Sequence, residues 1–311
     1  MMKSPILYIV VPCYNEEEVL KDTPQILLEF LTNNIKQNRV SKDSKILFVD
    51  DGSHDRTWDC IVSLNKDNPA FQGLKLAHNK GHQTALYAGL MEAKQHCDLS
   101  ISIDADLQDD IHVMEEMLNK ASEGCNVVFG VRNDRSTDTV FKKSTAGMYY
   151  KVLNGLGVKT IPQHADFRLL DRSALEALSE YKESNLFLRG IVTDIGLRTD
   201  KVYYSRKPRS AGESKYTLKK MLSLAEDGVT SFSISPLRWP IGLGLTTNGL
   251  GFAFLASAMK NKNEIHSLMS LMLFLSGMQF ICTGIMGDYI GKMYFETKSR
   301  PRYIIEEKTN Y

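Results

Sequence analysis

The chain of 311 residues sets 38 Lys and Arg against 37 Asp and Glu, a formal charge of +1, with 43% apolar and 24% charged residues. That is enough chain for one large domain or two modest ones of ordinary globular composition, and the near-zero charge gives no whole-chain reason to expect a nucleic-acid partner. Five scattered cysteines (Cys13, Cys60, Cys97, Cys125, Cys282), odd in number and with no C-x-x-C pair, exclude a zinc or disulfide framework and read as reduced core residues.

Met1 to Ser4 lead directly into a strand-like run with no basic stretch before a long apolar one. No cleaved signal peptide is expected, and the N-terminal part is expected in the cytoplasm. Ile6 to Val11 is a continuous apolar run suited to a strand buried on both faces, ended by Pro12. A helix follows with Glu16 to Glu18 in its first turn and an apolar face of Val19, Leu20, Ile26, Leu27, Phe30 and Leu31. Ile46 to Val49 is the second strand, running into Asp50-Asp51-Gly52-Ser53 and a returning helix from Thr57 to Leu64. Leu74 to Leu76 is the third, followed by Asn79-Lys80-Gly81-His82 and a helix from about Gln83 to Ala93. Leu99 to Ile103 and Val127 to Gly130 are the fourth and fifth, with a helix from Ile111 to Ala121 between them. Strand and helix alternate through residue 130, which predicts a parallel, doubly wound α/β sheet. Ligands of such sheets bind at the carboxyl ends of the strands, where Asn15, Asp50, Asp51, Asp104 and Asp106 fall.

From about Phe141 the pattern changes to helical segments and loops, with a basic, Gly- and Ser-containing stretch from Arg198 to Lys220. Leu218 to Gly228 reads as a juxtamembrane helix whose apolar face lies in the interface. Trp239 to Met259 carries no charged residue, and Ile265 to Gly287 none apart from His266; each has the length of a helix crossing a bilayer core of roughly 30 Å. A buried helical hairpin is the alternative, favoured by Thr246, Thr247, Asn248 and several glycines, while the flanking Lys and Arg favour the membrane. The expected layout is a catalytic domain at 1–216, juxtamembrane helices at 217–238, a two-span hairpin at 239–290 and a tail at 291–311, both termini cytoplasmic.

The chemistry gathers at Asp104-Ala105-Asp106-Leu107-Gln108, where a strand frays into a loop and two carboxylates with one amide can turn toward a hard divalent cation. A solvated loop or a helix N-cap is the plainer reading of those residues. Beside it stand Pro12-Cys13-Tyr14-Asn15-Glu16-Glu17 and Asp50-Asp51-Gly52-Ser53-His54-Asp55-Arg56-Thr57. Pro12, Tyr14 and Glu16 can wall a flat base pocket and Asp51 can accept hydrogen bonds from a base or ribose, although Asp-Asp-Gly-Ser also suits a plain strand-to-helix turn.

In this order the three strand ends resemble the inverting family 2 glycosyltransferases of the GT-A fold. The likeness continues through Asn79-Lys80-Gly81-His82-Gln83, Gly130-Val131-Arg132, Ala165-Asp166-Phe167-Arg168, Phe187-Leu188-Arg189-Gly190 and Arg209-Ser210-Ala211-Gly212-Glu213-Ser214-Lys215-Tyr216. That series is similar to the polyprenyl-phosphate glycosyltransferases over about residues 5 to 304. The resemblance implies an α/β GT-A catalytic domain anchored to the plasma membrane, a nucleotide-sugar donor such as UDP-glucose, a polyprenyl-phosphate acceptor and assembly as a homo-oligomer. It implies Mg2+ or Mn2+ held by Asp104, Asp106 and Gln108 against the diphosphate, with Asp104 also counted among the donor-binding residues, Asp106 as catalytic and Asp166 as the candidate base. A lipid monophosphate has a second pKa near ~6 and is already ionised at neutral pH, so Asp166 can instead orient the acceptor, or simply pair with Arg168. Arg132, Arg206, Arg209, Ser214 and Lys215 are the implied phosphate ligands, against the alternative of a solvated basic face. A family 2 transferase with another acceptor, or a silent membrane scaffold that kept the fold, are the competing classes.

Overall fold

The computed structural model describes residues 4–132, 164–183, 187–205, 264–298 and 300–309. Arg206, Arg209, Ser214, Lys215, the juxtamembrane helix and the first apolar segment lie outside the described residues.

An eight-stranded sheet has the order β7-β5-β6-β4-β1-β2-β3-β8. Its centre is β1 (Leu7–Cys13), buried throughout and paired in parallel with β2 (Lys45–Asp50) on one side and β4 (Leu99–Ser102) on the other. Successive side chains of a strand point to opposite faces, and β1 uses both. Leu7, Ile9 and Val11 pack with Leu27, Phe30 and Leu31 of α1 (Thr23–Lys36), Ile61 of α2 (Thr57–Asp67) and Met114 and Met117 of α4 (Val113–Ser122). Tyr8 and Val10 pack on the other side with Leu86 and Leu90 of α3 (His82–Ala93), Leu175 of α5 (Arg172–Glu180) and Ile191 of α6 (Leu188–Asp194). At 25 cal/mol per Å2, each such aliphatic side chain contributes roughly 1.5–3 kcal/mol, so these two layers hold the strand ends at fixed spacing. Gly89 of α3 lets that helix close on β1 and β2, since a Cβ there would meet Val10 and Val49 at 2.5 and 2.6 Å.

The structure departs from the expected pattern in four places. Pro12 does not end β1. The β1–β4 ladder has stopped at Val10 and Ser102, so the missing N–H of Pro12 costs no bond there while pairing with Val49 continues. Glu16 to Glu18 precede a 3-10 turn (Val19–Lys21) rather than opening the helix, and α1 begins at Thr23 with Pro24 in its first turn; Ile26 is 39% exposed, off the buried face. The sheet is mixed: β6 (His164–Asp171) runs antiparallel between β4 and β5 (Val127–Arg132), where only helices and loops were expected. Its sequence, HADFRLLD, carries an arginine mid-strand, which masks the apolar alternation. Finally β8 (Ile305–Lys308), placed by the sequence in a separate tail, adds antiparallel to β3 (Phe71–Leu76) and closes one sheet edge. The Thr309 hydroxyl accepts the Gly73 N–H at 2.8 Å, and Lys308 pairs with the buried Glu92 at 2.7 Å. At the opposite edge β7 (Thr199–Tyr204) runs parallel to β5.

Before β8 lies α7 (Glu264–Lys298), 35 residues long and leaving Leu268, Met272, Ile281, Ile290 and Met293 exposed. Among the described residues no helix is long and apolar enough to cross a membrane, so the expected two-span hairpin is not established here.

Candidate active site

The central strands β1, β2 and β4 deliver their acidic ends to one rim of the sheet. Beyond β4 the Ile103 N–H still bonds the Val10 carbonyl at 3.1 Å, and then the chain turns: Leu107 adopts φ +44° and donates its N–H to the Asp104 carbonyl at 3.2 Å. A left-handed leucine is a strained residue, and here it follows two carboxylates that the turn brings to the rim. The Asp104 side chain is 39% exposed, whereas Gln108 is buried. Packing around Asp104 pushes its carboxyl up; His82 pulls the other way, and Asp109, Asp166 and Asp106 add like-charge repulsion.

Two carboxylates with an amide are the hard oxygen donors that Mg2+ or Mn2+ takes, and such ions use one or two carboxylates plus substrate phosphates rather than a closed protein cage. The crowding of negative charge at Asp104 is what a cation would relieve. Among the described residues no group of three or more His, Cys, Asp or Glu side chains is arranged to hold a metal ion. Asp104 and Asp106 offer two hard oxygen donors of the kind such an ion takes; the burial of Gln108 makes it the least accessible of the three expected donors.

Asp166, on β6, sits in the opposite electrostatic situation. Its carboxylate is buried and pairs with the fully buried Arg168 through Oδ1 and with Arg189 through Oδ2 at 3.1 Å. Gln83 donates to Oδ2 at 3.3 Å, and its own Oε1 accepts the Leu188 N–H at 3.1 Å, tying α3 to the start of α6. Burial works to raise this carboxyl, but Arg189, His82 and Arg168 overrule it and hold it well below the usual carboxylate range. His82 Nε2 stands 3.6 Å from Asp104 Oδ1 and 3.6 Å from Asp166 Oδ2, joining the two corners. Burial alone would lower the His82 pKa; its contact with Asp166 and the charge of Asp104 raise it instead.

On the β2 side, Asp51 is 2% exposed and its two oxygens each accept a backbone N–H at 2.8 Å, from Lys80 and Gly81. Burial raises its pKa while those two bonds hold it down. In this structure Asp51 thus fixes the 79–82 loop that precedes α3, a task that spacing did not reveal. Gly52 is required beside it: at φ +66° a Cβ would meet the backbone of His78 and Asn79 at 2.7 Å. Pro12 is buried within β1, Tyr14 is half-buried with its ring edge toward His54, and the Glu16 N–H donates to Thr57 Oγ1 at 2.9 Å. A cleft of about 410 Å3 opens at the ends of β2 and β3, lined by Gly52, Ser53, His54, Lys75, Ala77, His78, Asn79 and Glu306.

Arg132 ends β5 and completes the set. Its Nη2 meets Asp109 Oδ1 at 3.2 Å and its Nε donates to the Tyr204 hydroxyl at 3.3 Å. The structure thus brings Asp104, Asp106, Asp166 and Arg132 to the same end of the sheet. Four residues that the candidate set did not include belong with them: His82, Gln83, Arg189 and Asp109. The signal for the first three was in N-K-G-H-Q and F-L-R-G, which carried the family resemblance without a role for each side chain.

A mixed α/β sheet with an acidic rim and cationic neighbours at the carboxyl ends of its central parallel strands is the class this site defines. Residues 8–179 match glycosyl transferase family 2. The uncharacterized glycosyltransferase YkoT of Bacillus subtilis is 50% identical over 310 residues, 97% of this chain and 92% of that protein. The bactoprenol glucosyl transferase of Shigella phage SfX is 37% identical over 308 residues, 96% of this chain and 98% of that protein. Among solved structures, the mannosyltransferase PcManGT of Pyrobaculum calidifontis, in complex with GDP-Man and Mn2+, is 15% identical with a TM-score of 0.45, over 96% of this chain and 89% of that one. The chain belongs to glycosyltransferase family 2.

Proposed function

We propose that this protein transfers a hexosyl unit from a nucleotide sugar to a polyprenyl phosphate, with inversion, at the cytoplasmic face of the plasma membrane. Near-full-length similarity to bactoprenol glucosyl transferases supports the acceptor class. The observation that carries the chemistry is the placing of a partly exposed carboxylate, Asp104, 3.6 Å from His82 on one side, and a buried carboxylate paired with two guanidiniums, Asp166, 3.6 Å from it on the other. UDP-glucose or a related UDP-hexose is the donor we favour, and the lipid-linked sugar would serve later cell-envelope glycosylation.

A phosphate oxygen of the acceptor attacks the anomeric carbon while the bond to the diphosphate breaks, and the nucleoside diphosphate leaves. The acceptor needs no base at neutral pH, because its second pKa lies near ~6. Asp166, held deprotonated by two guanidiniums, is a poor proton acceptor. Its work is to fix Arg189, whose side chain is 27% exposed, and His82 at the edge where two anions must meet. Mg2+ or Mn2+, held by Asp104 and Asp106, would neutralise the departing diphosphate as a Lewis acid. Arg132 contributes a guanidinium from the other side, and Arg206, Arg209, Ser214 and Lys215 belong to the same reading as phosphate ligands. In this proposal the apolar segments at 239–259 and 265–287 would form the two-span anchor, and Asn248, a polar residue in the sequence of the first, would pair with another copy of the chain, which cross-linking at that position checks.

The test is incubation of membranes containing the protein with labelled nucleotide sugars and undecaprenyl phosphate, with Mg2+, Mn2+ or EDTA. Label should enter the organic phase only with the metal present. No metal-dependent transfer from any common donor would sink the proposal.

A further inference from the structure

Arg132 is held from two directions by groups that come from distant parts of the chain. Tyr204 is its register partner, Arg132 ending β5 and Tyr204 ending β7. Asp109 arrives from the loop beyond β4, 3% exposed, and its Oδ1 accepts both the Tyr204 hydroxyl at 2.7 Å and Arg132 Nη2 at 3.2 Å. Arg132 Nε donates to the Tyr204 oxygen at 3.3 Å, closing a three-membered ring of hydrogen bonds. Asp109 Oδ2 is buried with no hydrogen-bond partner among the described residues, and Arg132 meets the carboxylate as its counter-charge through Oδ1. The ring consumes Nε and one Nη2 hydrogen. The guanidinium remains 28% exposed, and Asp104 is near enough for its charge to act on it.

A flexible arginine loses rotamer freedom when it grips a phosphate, and a guanidinium already fixed by a fork of acceptors has lost that freedom beforehand. We propose that Asp109 and Tyr204 are positioning residues that hold Arg132 ready for a phosphate oxygen of the donor or the acceptor. The proposal rests on the reading above, in which Arg132 meets phosphate. The Tyr204 ring has a separate duty, standing edge-on to Phe167 with centroids 5.4 Å apart. Tyr204→Phe therefore removes two of the three hydrogen bonds, leaving the Arg132–Asp109 pair, while keeping that packing.

The experiment uses full-length protein in detergent, with labelled UDP-glucose and undecaprenyl phosphate in a transfer assay. In parallel, binding of undecaprenyl phosphate is compared with that of undecaprenol, which lacks the phosphate. For Tyr204→Phe the KM of one phosphate-bearing substrate should rise about tenfold, with kcat and thermal midpoint near wild type. A rise in the donor KM places Arg132 on the diphosphate. A rise in the lipid KM, with a matching loss of preference for phosphate over alcohol, places it on the acceptor. Asp109→Asn should reproduce the effect, and Asp109→Glu should recover part of it. If Tyr204→Phe lowers the thermal midpoint and leaves both KM values and the phosphate preference unchanged, the ring is merely structural and the proposal fails. Arg132→Met separates the underlying reading: no change in either KM with that variant, which removes the charge, takes Arg132 out of phosphate binding altogether, whereas a rise there beside an unaffected Tyr204→Phe overturns only the positioning role. Should the wild type transfer no sugar, the binding comparison alone decides, and equal binding of phosphate and alcohol by wild type overturns the proposal.

Discussion

Two carboxylate corners stand 3.6 Å to either side of His82, and they are built on opposite principles. Asp104 is partly exposed at the rim, and the packing around it, followed by the charges of Asp109, Asp166 and Asp106, raises its proton affinity. Asp166 is closed, with Arg168 and Arg189 built in as counter-ions and its proton affinity lowered. Burying a carboxylate without a partner costs several kcal/mol, so Asp166 can exist only because the fold supplies the guanidiniums. Among the described residues His82 is the ion-pair partner of Asp104, and the exposed part of that carboxylate stays available to a cation. The same residue type thus serves two tasks, and the number of cations supplied by the protein decides which.

That contrast can be broken most severely at the open corner. Asp106→Ala should lower transfer by about 1,000-fold or more, the loss of several kcal/mol of charge stabilisation, while the thermal midpoint stays at or above wild type because repulsion at Asp104 is relieved. A folded variant that retains transfer would remove the metal role. At the closed corner the balance reverses. Asp166→Asn should cost about 3 kcal/mol of stability by stranding two guanidiniums, measured by denaturant unfolding, and lower kcat about 100-fold with donor binding intact. Loss of donor binding in that variant, read by calorimetric titration with the nucleotide sugar, would refute the separation of roles.

His82→Asn probes the bridge itself. It should reduce kcat about tenfold and leave stability nearly unchanged, since the histidine is itself 39% exposed. The smallest effect is the pH dependence. The folded pKa of Asp166 lies below its unfolded value of ~3.9, so its contribution to stability is present above that value and is lost as pH falls through the folded one. Urea unfolding between pH 5 and 8 should therefore show no Asp166 dependence, and the acid limb that wild type shows below pH ~4 should be shallower in Asp166→Asn.

Much of this could be read from residues alone, and the reasons for the rest are physical. The strands β1 to β5 are legible as apolar runs bounded by turn residues, and the acidic ends of β1, β2 and β4 mark the rim in the sequence itself. β6 hid because Arg168 is buried on it, an arrangement that makes sense only once Asp166 is known to need a partner. Arg189 and Gln83 are far from Asp166 in sequence, by 23 and 83 positions, and no local spacing rule joins them. Asp51 illustrates the converse: its position at a strand end was legible, but its two backbone hydrogen bonds to the 79–82 loop depend on which strand lies beside β2.

The return of the chain to β8 has a mechanical consequence. The sheet is left at β7 and re-entered at β8, which are its two opposite edges. Seven interstrand steps of about 4.8 Å separate those edges, some 34 Å. α7 therefore meets the sheet through β8, at the edge opposite the one where the chain leaves it at Tyr204. A pull along α7 would be borne first by the β8–β3 ladder and the Lys308–Glu92 pair, at the far edge of the sheet from Arg132.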